Sequence, residues 1–463
     1  MTRKVKILAT LGPASGTQAA IERLIKAGAN GVRLNFSHGD HAGHKAVYNA
    51  VRRAAARLGA PLAVVADLQG PKIRVGALDA PVNLKTGDTV QIGGRQAAPG
   101  LLPCTYGGLS RDVKPGDRVL IDDGLVELRA LRVRGGRVVC KVTHGGTVKS
   151  HKGINLPGGA VSAASVTPKD RRDLAFAIGL GVDYIAVSFV RTGRGLRTVR
   201  QLIRRLGSDT PVIAKIEKPE ALANLDAILA ECEGLMVARG DLAVETAPEA
   251  VPVYQKDLVK AANAAGKLDI VATQMLDSMT KNLTPTRAEI TDVANAVFDG
   301  ADVVMLSQET AIGDHPPKVV AMMDRIVRRA ETSSYFHPHA YVPDPHDQSA
   351  LNGITHAAGL AADETMAAAL VVYSRDGAET FMIANKRPHT PVIAVTPEPR
   401  LWRRFSLYYN ITPCLGPRLG SVEAVFAGLR RLVRERRLVR KGATVVLLAS
   451  ASDGRYVLRI DKV

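Results

Sequence analysis

The sequence predicts an α/β fold: a (β/α)8 TIM barrel, a small β-barrel lid domain inserted into it, and a C-terminal open α/β domain. Three observations carry this reading. Apolar strand-like runs alternate with helix-like segments through most of residues 1–335. The alternation stops at residue 76 and resumes after residue 156, with turn-rich sequence between. A second, shorter alternation follows a Pro- and His-rich stretch. A chain of 463 residues suits two or three domains at the usual size of about 150 residues each. The expected division is 1–75 (barrel, first part), 76–156 (lid), 157–335 (barrel, second part) and 336–463 (C-terminal regulatory or oligomerisation domain).

"VKILATLG" opens the barrel, and "TQAAIERLIKAG" reads as a helix stopped by Gly28. "NGVRLNFSHG" is the second strand, "HKAVYNAVRRAAARLG" a helix stopped by Gly59, and "PLAVVADLQG" the third strand. After the insertion come helix "PKDRRDLAFAIGLG" and strand "VDYIAVSFV", then "TVRQLIRRLG" and "PVIAKIE". "ALANLDAILAEC" leads to "GLMVARGDL", "PVYQKDLVKAANAAG" to "LDIVATQM", and "ITDVANAVFDG" to "ADVVMLSQET". Near-continuous Val, Ile, Leu and Ala suit strands covered on both faces, as in a parallel sheet. Residues 77–156 carry "TGD", "GGR", "KPGDR" and "RGGR", turn chemistry at short intervals that predicts an all-β insertion. It leaves after the third strand, on the face where barrel active sites lie, and so reads as a lid. "SSYFHPHAYVPDPHDQ" reads as a linker. The tail continues with helix "ITHAAGLAADE", strand "ALVVYS", helix "ETFMIANK", strand "PVIAVTP", helix "VEAVFAGLRRLV" and strand "ATVVLLAS".

Composition narrows the functional classes. Cys104, Cys140, Cys232 and Cys414 are scattered with no CxxC pair, so neither a zinc site nor a disulfide framework is indicated. The start lacks an uninterrupted apolar stretch, because Lys6 and Pro13 intervene, and a cytoplasmic setting is expected. No run approaches the ~20 apolar residues of a membrane span. The net charge is +18, which suits anionic partners. Part of it lies in "GLRRLVRERRLVRKG", residues 428–442, which reads as a basic amphipathic surface helix. Aromatic residues are 4% and do not interleave with the basic runs, so no nucleic-acid partner is expected.

Polar residues at the C-terminal ends of barrel strands are the functional candidates. In order these are Arg33, Asn35, Ser37 and His38; Asp67 and Arg74; Ser188; Lys215 and Glu217; Arg239 and Asp241; Thr273 and Gln274; Ser307 and Glu309. Cations and carboxylates on one rim suit an anionic substrate with a divalent metal. Glu217 and Asp241, from neighbouring strands, offer hard oxygens for Mg²⁺. Spacing alone fits a ring of salt bridges with Lys215 and Arg239 equally well.

"RLNFSHG", "KGINLPG", "AKIEKPEAL", "GLMVARGDLAVE", "ATQMLDSM" and "PTRAEITDVANAVFDGADVVMLSQET" closely resemble pyruvate kinase, in order and over the whole chain. The resemblance implies phosphoryl transfer from phosphoenolpyruvate to ADP, giving pyruvate and ATP, in glycolysis. It implies that Glu217 and Asp241 hold Mg²⁺ or Mn²⁺. Lys215 would stabilise the moving phosphoryl group and Arg33 would contact its oxygens. The main chain at Arg239 and Gly240, with the Thr273 hydroxyl, would grip the substrate carboxylate, and Thr273 would help relay a proton to the enolate. Asn35, His38, Arg74 and Lys152 would serve the nucleotide. A cytoplasmic homotetramer is also implied.

Several positions depart from or qualify this pattern. The resemblance places a K⁺ site at Asn35, Ser37, Asp67 and the Leu68 carbonyl. The usual Asp-Thr-Lys-Gly-Pro-Glu is here Asp67-Leu68-Gln69-Gly70-Pro71-Lys72, so a cation replaces Glu. Lys72 either supplies the charge that K⁺ supplies elsewhere, making K⁺ dispensable, or points to solvent beside an ion that still binds. The first reading is preferred. Gln308 and Ala243 stand where Gly is usual. The C-terminal loop "YSRDGAET" carries Asp376 and Glu379 where an activating sugar bisphosphate would need hydroxyls, so fructose 1,6-bisphosphate is not expected to activate. The competing readings are a Mg²⁺-dependent barrel aldolase or lyase acting on a 2-oxo acid, and an inert scaffold. The intact Lys215, Glu217, Asp241 and Thr273 speak against the scaffold.

Overall fold

The structure, a computed structural model, describes residues 3–94, 96–159, 162, 165–336, 347–450 and 455–463. Eight parallel strands close into a barrel in chain order: Lys6–Thr10, Gly31–Asn35, Ala63–Asp67, Tyr184–Val187, Val212–Ile216, Gly234–Ala238, Leu268–Ala272 and Val303–Leu306. Helices Gln18–Ala27 and His41–Leu58 end where Gly28 (φ 119°) and Gly59 (φ 59°) take the left-handed conformation that glycine adopts without strain. The segment 221–232 is not one helix. It folds as Pro219–Ala223 and Leu225–Leu229, broken at Asn224, whose ψ of 21° leaves the helical range. An eighth helix that the sequence reading missed, Pro316–Glu331, completes the outer ring and begins at Pro316, whose ring suits a first turn.

Period-two alternation decides what fills the barrel. Leu8, Ala63, Val65, Tyr184, Ala186, Ile213, Met236, Ile270, Val303 and Met305 share the inner core, whereas Ile7, Val64, Ile185, Val212, Val271 and Val304 pack outward beneath the helices. Gly31 has no side chain at the bottom because a Cβ there would lie 2.8 Å from the Leu407 side chain, which plugs the floor. Two residues further along the same inward faces stand Arg33, Asp67 and Lys215. The apolar floor thus carries a charged top layer.

The insertion folds as a six-stranded sheet, Ile154–Asn155, Arg118–Ile121, Val126–Arg134, Arg137–His144, Thr89–Ile92 and Leu101–Leu102, with a two-stranded pair, Val82–Leu84 and Gly146–Val148. Both share one core. Its entry and return are tied together by the bridge between Arg74 and Gly153 and by Val75 N donating to the Lys152 carbonyl at 2.8 Å.

The C-terminal sheet runs in the order Ile411–Leu415, Val392–Thr396, Ala369–Tyr373, Thr444–Ser450 and Tyr456–Lys462, the last antiparallel. The first and last of these strands escaped the sequence reading. Most of the expected linker, residues 337–346, lies outside the described residues. The helix expected at "VEAVFAGLRRLV" is present as Val422–Glu435, but the basic helix expected over 428–442 does not continue past it, because Arg437 takes φ 52°. This domain docks under the barrel through buried polar groups. Arg387 Nη2 lies 2.7 Å from Asp302 and 3.7 Å from Asp269, and its guanidinium stacks 4.4 Å from the Tyr409 ring centroid. Lys6 Nζ donates to the Ile411 carbonyl at 2.8 Å.

Lys6 generates a pH prediction. Burial, reinforced by Arg3, pushes its pKa from 10.5 down to about 7. Between those values the unfolded chain holds a proton that the folded chain has released, so stability rises with pH through that window. The difference in unfolding midpoint between the parent chain and Lys6→Met should therefore climb from pH 7 to pH 9.5. Thermal scans across that range check it; a flat difference contradicts it.

Candidate active site

The top layer begins as a chain of charges across four adjacent strands. Arg33 Nε donates to Asp67 Oδ2 at 2.7 Å and Arg33 Nη1 to Thr10 Oγ1 at 3.2 Å. Asp67 Oδ2 also faces Lys215 Nζ at 3.3 Å. Lys215 Nζ donates to Ser188 Oγ at 2.7 Å and lies 2.9 Å from Glu217 Oε1. Ser188 Oγ donates to the Leu68 carbonyl at 2.8 Å. Phe189 N donates to Glu217 Oε2 at 2.6 Å.

Opposed effects set the charge states here. Burial alone would raise the Asp67 pKa, but Lys215 and Arg33 hold it below the ordinary carboxylate value. Burial pulls Lys215 down, yet Asp67 and Glu217 more than restore it, so it stays a cation above its usual pKa. Glu217 goes the other way. Burial, then Asp241, outweigh Lys215 and raise it. A fully buried carboxylate beside a second carboxylate has an electrostatic deficit that a divalent cation would fill. Glu217 Oε1 makes no aligned hydrogen bond although the ammonium is near. The donors are hard oxygens suited to Mg²⁺ or Mn²⁺. Among the described residues no group of three or more His, Cys, Asp or Glu is arranged to hold a metal.

The next two strand ends form the opposite wall. Gly240 N donates to Thr273 Oγ1 at 2.8 Å, and Thr273 Oγ1 donates to the Ala272 carbonyl at 2.6 Å. Thr273 (φ 72°) and Gln274 (φ 54°) are both left-handed, a conformation costing about 1–3 kcal/mol at a non-glycine residue. Their surroundings hold it. The Arg239 side chain turns away from the cleft; its guanidinium donates to the Thr273 carbonyl at 2.6 Å and pairs with Asp292 at 2.6 Å. Buried Glu309 accepts from Ser307 N at 2.6 Å and Leu276 N at 3.3 Å, joining the loops after the seventh and eighth strands. The sequence reading put Arg239 and Glu309 on the rim without seeing that both act inward on the backbone. No local signal distinguishes the two orientations.

A cleft of about 800 Å³ lies above this layer. Arg33, Asn35, His38, Lys72, Gly240, Asp241, Thr273, Gln274 and Ser307 line its barrel side, and Arg118, Asp123 and Glu127 its lid side. Gln308 and Ala243 also line it, and Gln308 Nε2 donates to Asp277 Oδ1 at 2.5 Å. Burial, helped by Arg74 and Arg33, lowers the His38 pKa and favours its neutral form. Asn35 Oδ1 accepts from Ser37 N at 3.1 Å. Two of the expected nucleotide residues sit apart at the lid junction: Arg74 donates to the His151 carbonyl at 2.9 Å, and Lys152 pairs with Asp122 at 2.9 Å. Lys72 Nζ donates to Asp241 Oδ1 at 2.8 Å.

Comparison with known proteins agrees with this geometry. The family description "Pyruvate kinase, barrel domain" matches residues 2–320, and "Pyruvate kinase, alpha/beta domain" matches residues 352–456. The chain is similar to the pyruvate kinase of Corynebacterium efficiens, 41% identical over 98% of this chain and 96% of that one. It is equally similar to that of Mycobacterium tuberculosis, 41% identical over 98% and 96% of the two chains. A solved structure, the pyruvate kinase of Cryptosporidium parvum, superposes with a TM-score of 0.93 at 35% identity, covering 99% of this chain and 96% of that one. The closed barrel, the lid over a cation–carboxylate layer and these full-length matches lead to one conclusion: the chain belongs to the pyruvate kinase family and is a phosphotransferase.

Proposed function

We propose that the cleft transfers the phosphoryl group of phosphoenolpyruvate to ADP, as a step of glycolysis. The enol C–O–P linkage breaks at phosphorus, a bond forms to a terminal oxygen of ADP, and the enolate left behind takes a proton at carbon to become pyruvate. The observation that carries this reading is Lys215, a buried ammonium held between Asp67 and Glu217 at 3.3 and 2.9 Å. Such transfer is mostly positioning and charge neutralisation. Lys215 and Arg33 neutralise the equatorial oxygens of the moving group. The main chain at Arg239 and Gly240, with Thr273 Oγ1, receives the substrate carboxylate. Bound at Glu217 and Asp241, Mg²⁺ or Mn²⁺ would supply a hard positive charge that offsets the phosphate's. Asn35 and His38 serve the nucleotide from the barrel, with Arg74 and Lys152 at the lid junction. Thr273 Oγ1 is engaged by Gly240 N and the Ala272 carbonyl, so a proton relay through it requires that hydroxyl to rotate.

The division into residues 1–75, 76–156, 157–335 and 336–463 is part of the same reading, with the second as lid. No helix among the described residues is long and apolar enough to cross a membrane, and a cytoplasmic enzyme is proposed. A homotetramer is proposed from the family resemblance.

Lys72 supports K⁺-independent turnover by adding a covalently tethered cation to the cleft. Asp67, among the K⁺ ligands that the resemblance implies with Asn35, Ser37 and Leu68, is already met by Arg33 and Lys215. The C-terminal loop supports insensitivity to fructose 1,6-bisphosphate. Ser374 Oγ is bonded to the buried carboxylate of Glu379, and Ala378 N donates to Asp376 Oδ1 at 3.0 Å, so the groups a phosphate would need are taken.

The test is pyruvate formation from phosphoenolpyruvate and ADP with Mg²⁺, at matched ionic strength with and without K⁺. Turnover in both buffers is expected. A strict K⁺ requirement overturns the role given to Lys72, and no turnover in either overturns the activity. In the same assay, fructose 1,6-bisphosphate at millimolar concentration should leave the phosphoenolpyruvate dependence unchanged; a shift to lower half-saturation contradicts the reading of the loop.

A further inference from the structure

Lys72 is bonded to one of the two carboxylates that the proposed function gives to the metal. Its Nζ lies 2.8 Å from Asp241 Oδ1, and both side chains are about three-quarters withdrawn from solvent, at 21% and 24% exposure. The Nζ also lies 5.9 Å from the centroid of the Phe189 ring. The lysine stem runs beneath the returning strand of the lid. A Cβ at Gly153 would stand 3.1 Å from Lys72 Cε, so the stem passes close against the Gly153 backbone. Lys72 thus lines two spaces at once: the cleft, and a smaller cavity under the lid shared with Ile154, Asn155, Lys218 and Glu245.

An oxygen that accepts from an ammonium at 2.8 Å is a poor ligand for a divalent ion. The two cations repel, and the carboxylate must give up one partner to take the other. A partly buried ion pair is screened less than one at the surface, so the competition is felt. Across the cleft, on the lid, stands Asp123, whose charge favours the Lys72 ammonium next after that of Asp241 and ahead of that of Glu217.

We propose that Lys72 is the resident counter-ion of the metal site: in the metal-free enzyme it occupies Asp241, and it must swing off that carboxylate, toward Asp123 of the lid, before Asp241 can coordinate. The inference rests on the assignment of Glu217 and Asp241 as metal ligands and deepens it. Lys72 weakens divalent-ion binding to the free enzyme, and its stem, passing close to Gly153, connects metal occupancy with the position of the lid. A family member with Glu at this position carries no such competitor.

The experiment is direct Mn²⁺ binding to the free enzyme, without substrates, followed by the loss of the free-ion electron paramagnetic resonance signal. Lys72→Met should bind Mn²⁺ roughly fivefold more tightly than the parent, the scale of a partly buried ion pair, and Lys72→Arg should stay near the parent. Equal or weaker binding by Lys72→Met, with measurable binding by the parent, overturns the inference and leaves the metal site standing. Absence of Mn²⁺ binding in every variant overturns the metal assignment together with the inference. A second readout needs no substitution. With the lysines ¹³C-dimethylated, the Lys72 resonance (assigned by its absence in Lys72→Arg) should move on Mg²⁺ addition, and a stationary resonance contradicts the displacement.

Discussion

A lysine ammonium in the layer beneath a cleft, 9% exposed, loses most of its hydration and keeps its charge only if the protein replaces the water. Around Lys215 it does so with Asp67, Glu217 and the Ser188 hydroxyl, each from a different strand end. This arrangement constrains the rest of the site. Asp67 carries two cations and stays ionised. Glu217 has one cation and a second carboxylate nearby, and is left short of positive charge. One end of the charge layer is therefore closed and the other open, and the open end is where a divalent ion and an anionic substrate are called for. Replacing any member would leave an unpaired charge in a buried place, which costs more than the pair contributes.

The barrel supplies this layer because of strand periodicity. Inward positions at the floor are apolar, and the next inward positions along the same strands are Arg33, Asp67 and Lys215. Rigid strand ends place these groups, whereas the loops beyond adjust access. The strained backbone at Thr273 and Gln274 belongs to the rigid part, since Arg239 and Glu309 hold the flanking peptide groups from behind. The lid contributes charge of both signs across the cleft, Arg118 against Asp123 and Glu127. Lys72 stands where the two parts meet, lining both the cleft and the smaller cavity under the lid.

Much of the fold was legible in the sequence for physical reasons. Strands covered on both faces need continuous apolar runs, and these mark all eight barrel strands. Gly28 and Gly59 mark helix ends because left-handed turns favour glycine. The edge strands Ile411–Leu415 and Tyr456–Lys462 were missed because Pro413 in one and the alternating charges of the other blur the apolar pattern. At the site, the residue types on the rim could be read, but not their partners. Arg33 meets Asp67 across 34 residues and Lys72 meets Asp241 across 169, and local spacing holds no record of either distance. The same limit hid the inward turn of Arg239 and the reach of Arg387 to Asp302.

The role proposed for Lys215 is the claim on which the account turns, and a rapid-quench measurement of a single turnover tests it. Lys215→Met should fold at a cost in stability, because Arg33 still pairs Asp67 and Glu217, whose pKa is already raised, can take up a proton in place of the lost cation, and it should bind phosphoenolpyruvate. Its rate of phosphoryl transfer to ADP should fall by about 10²–10³-fold, the scale for removing a preorganised charge from a transition state. Transfer within tenfold of the parent rate, in a folded variant, would show that the buried ammonium serves the architecture alone.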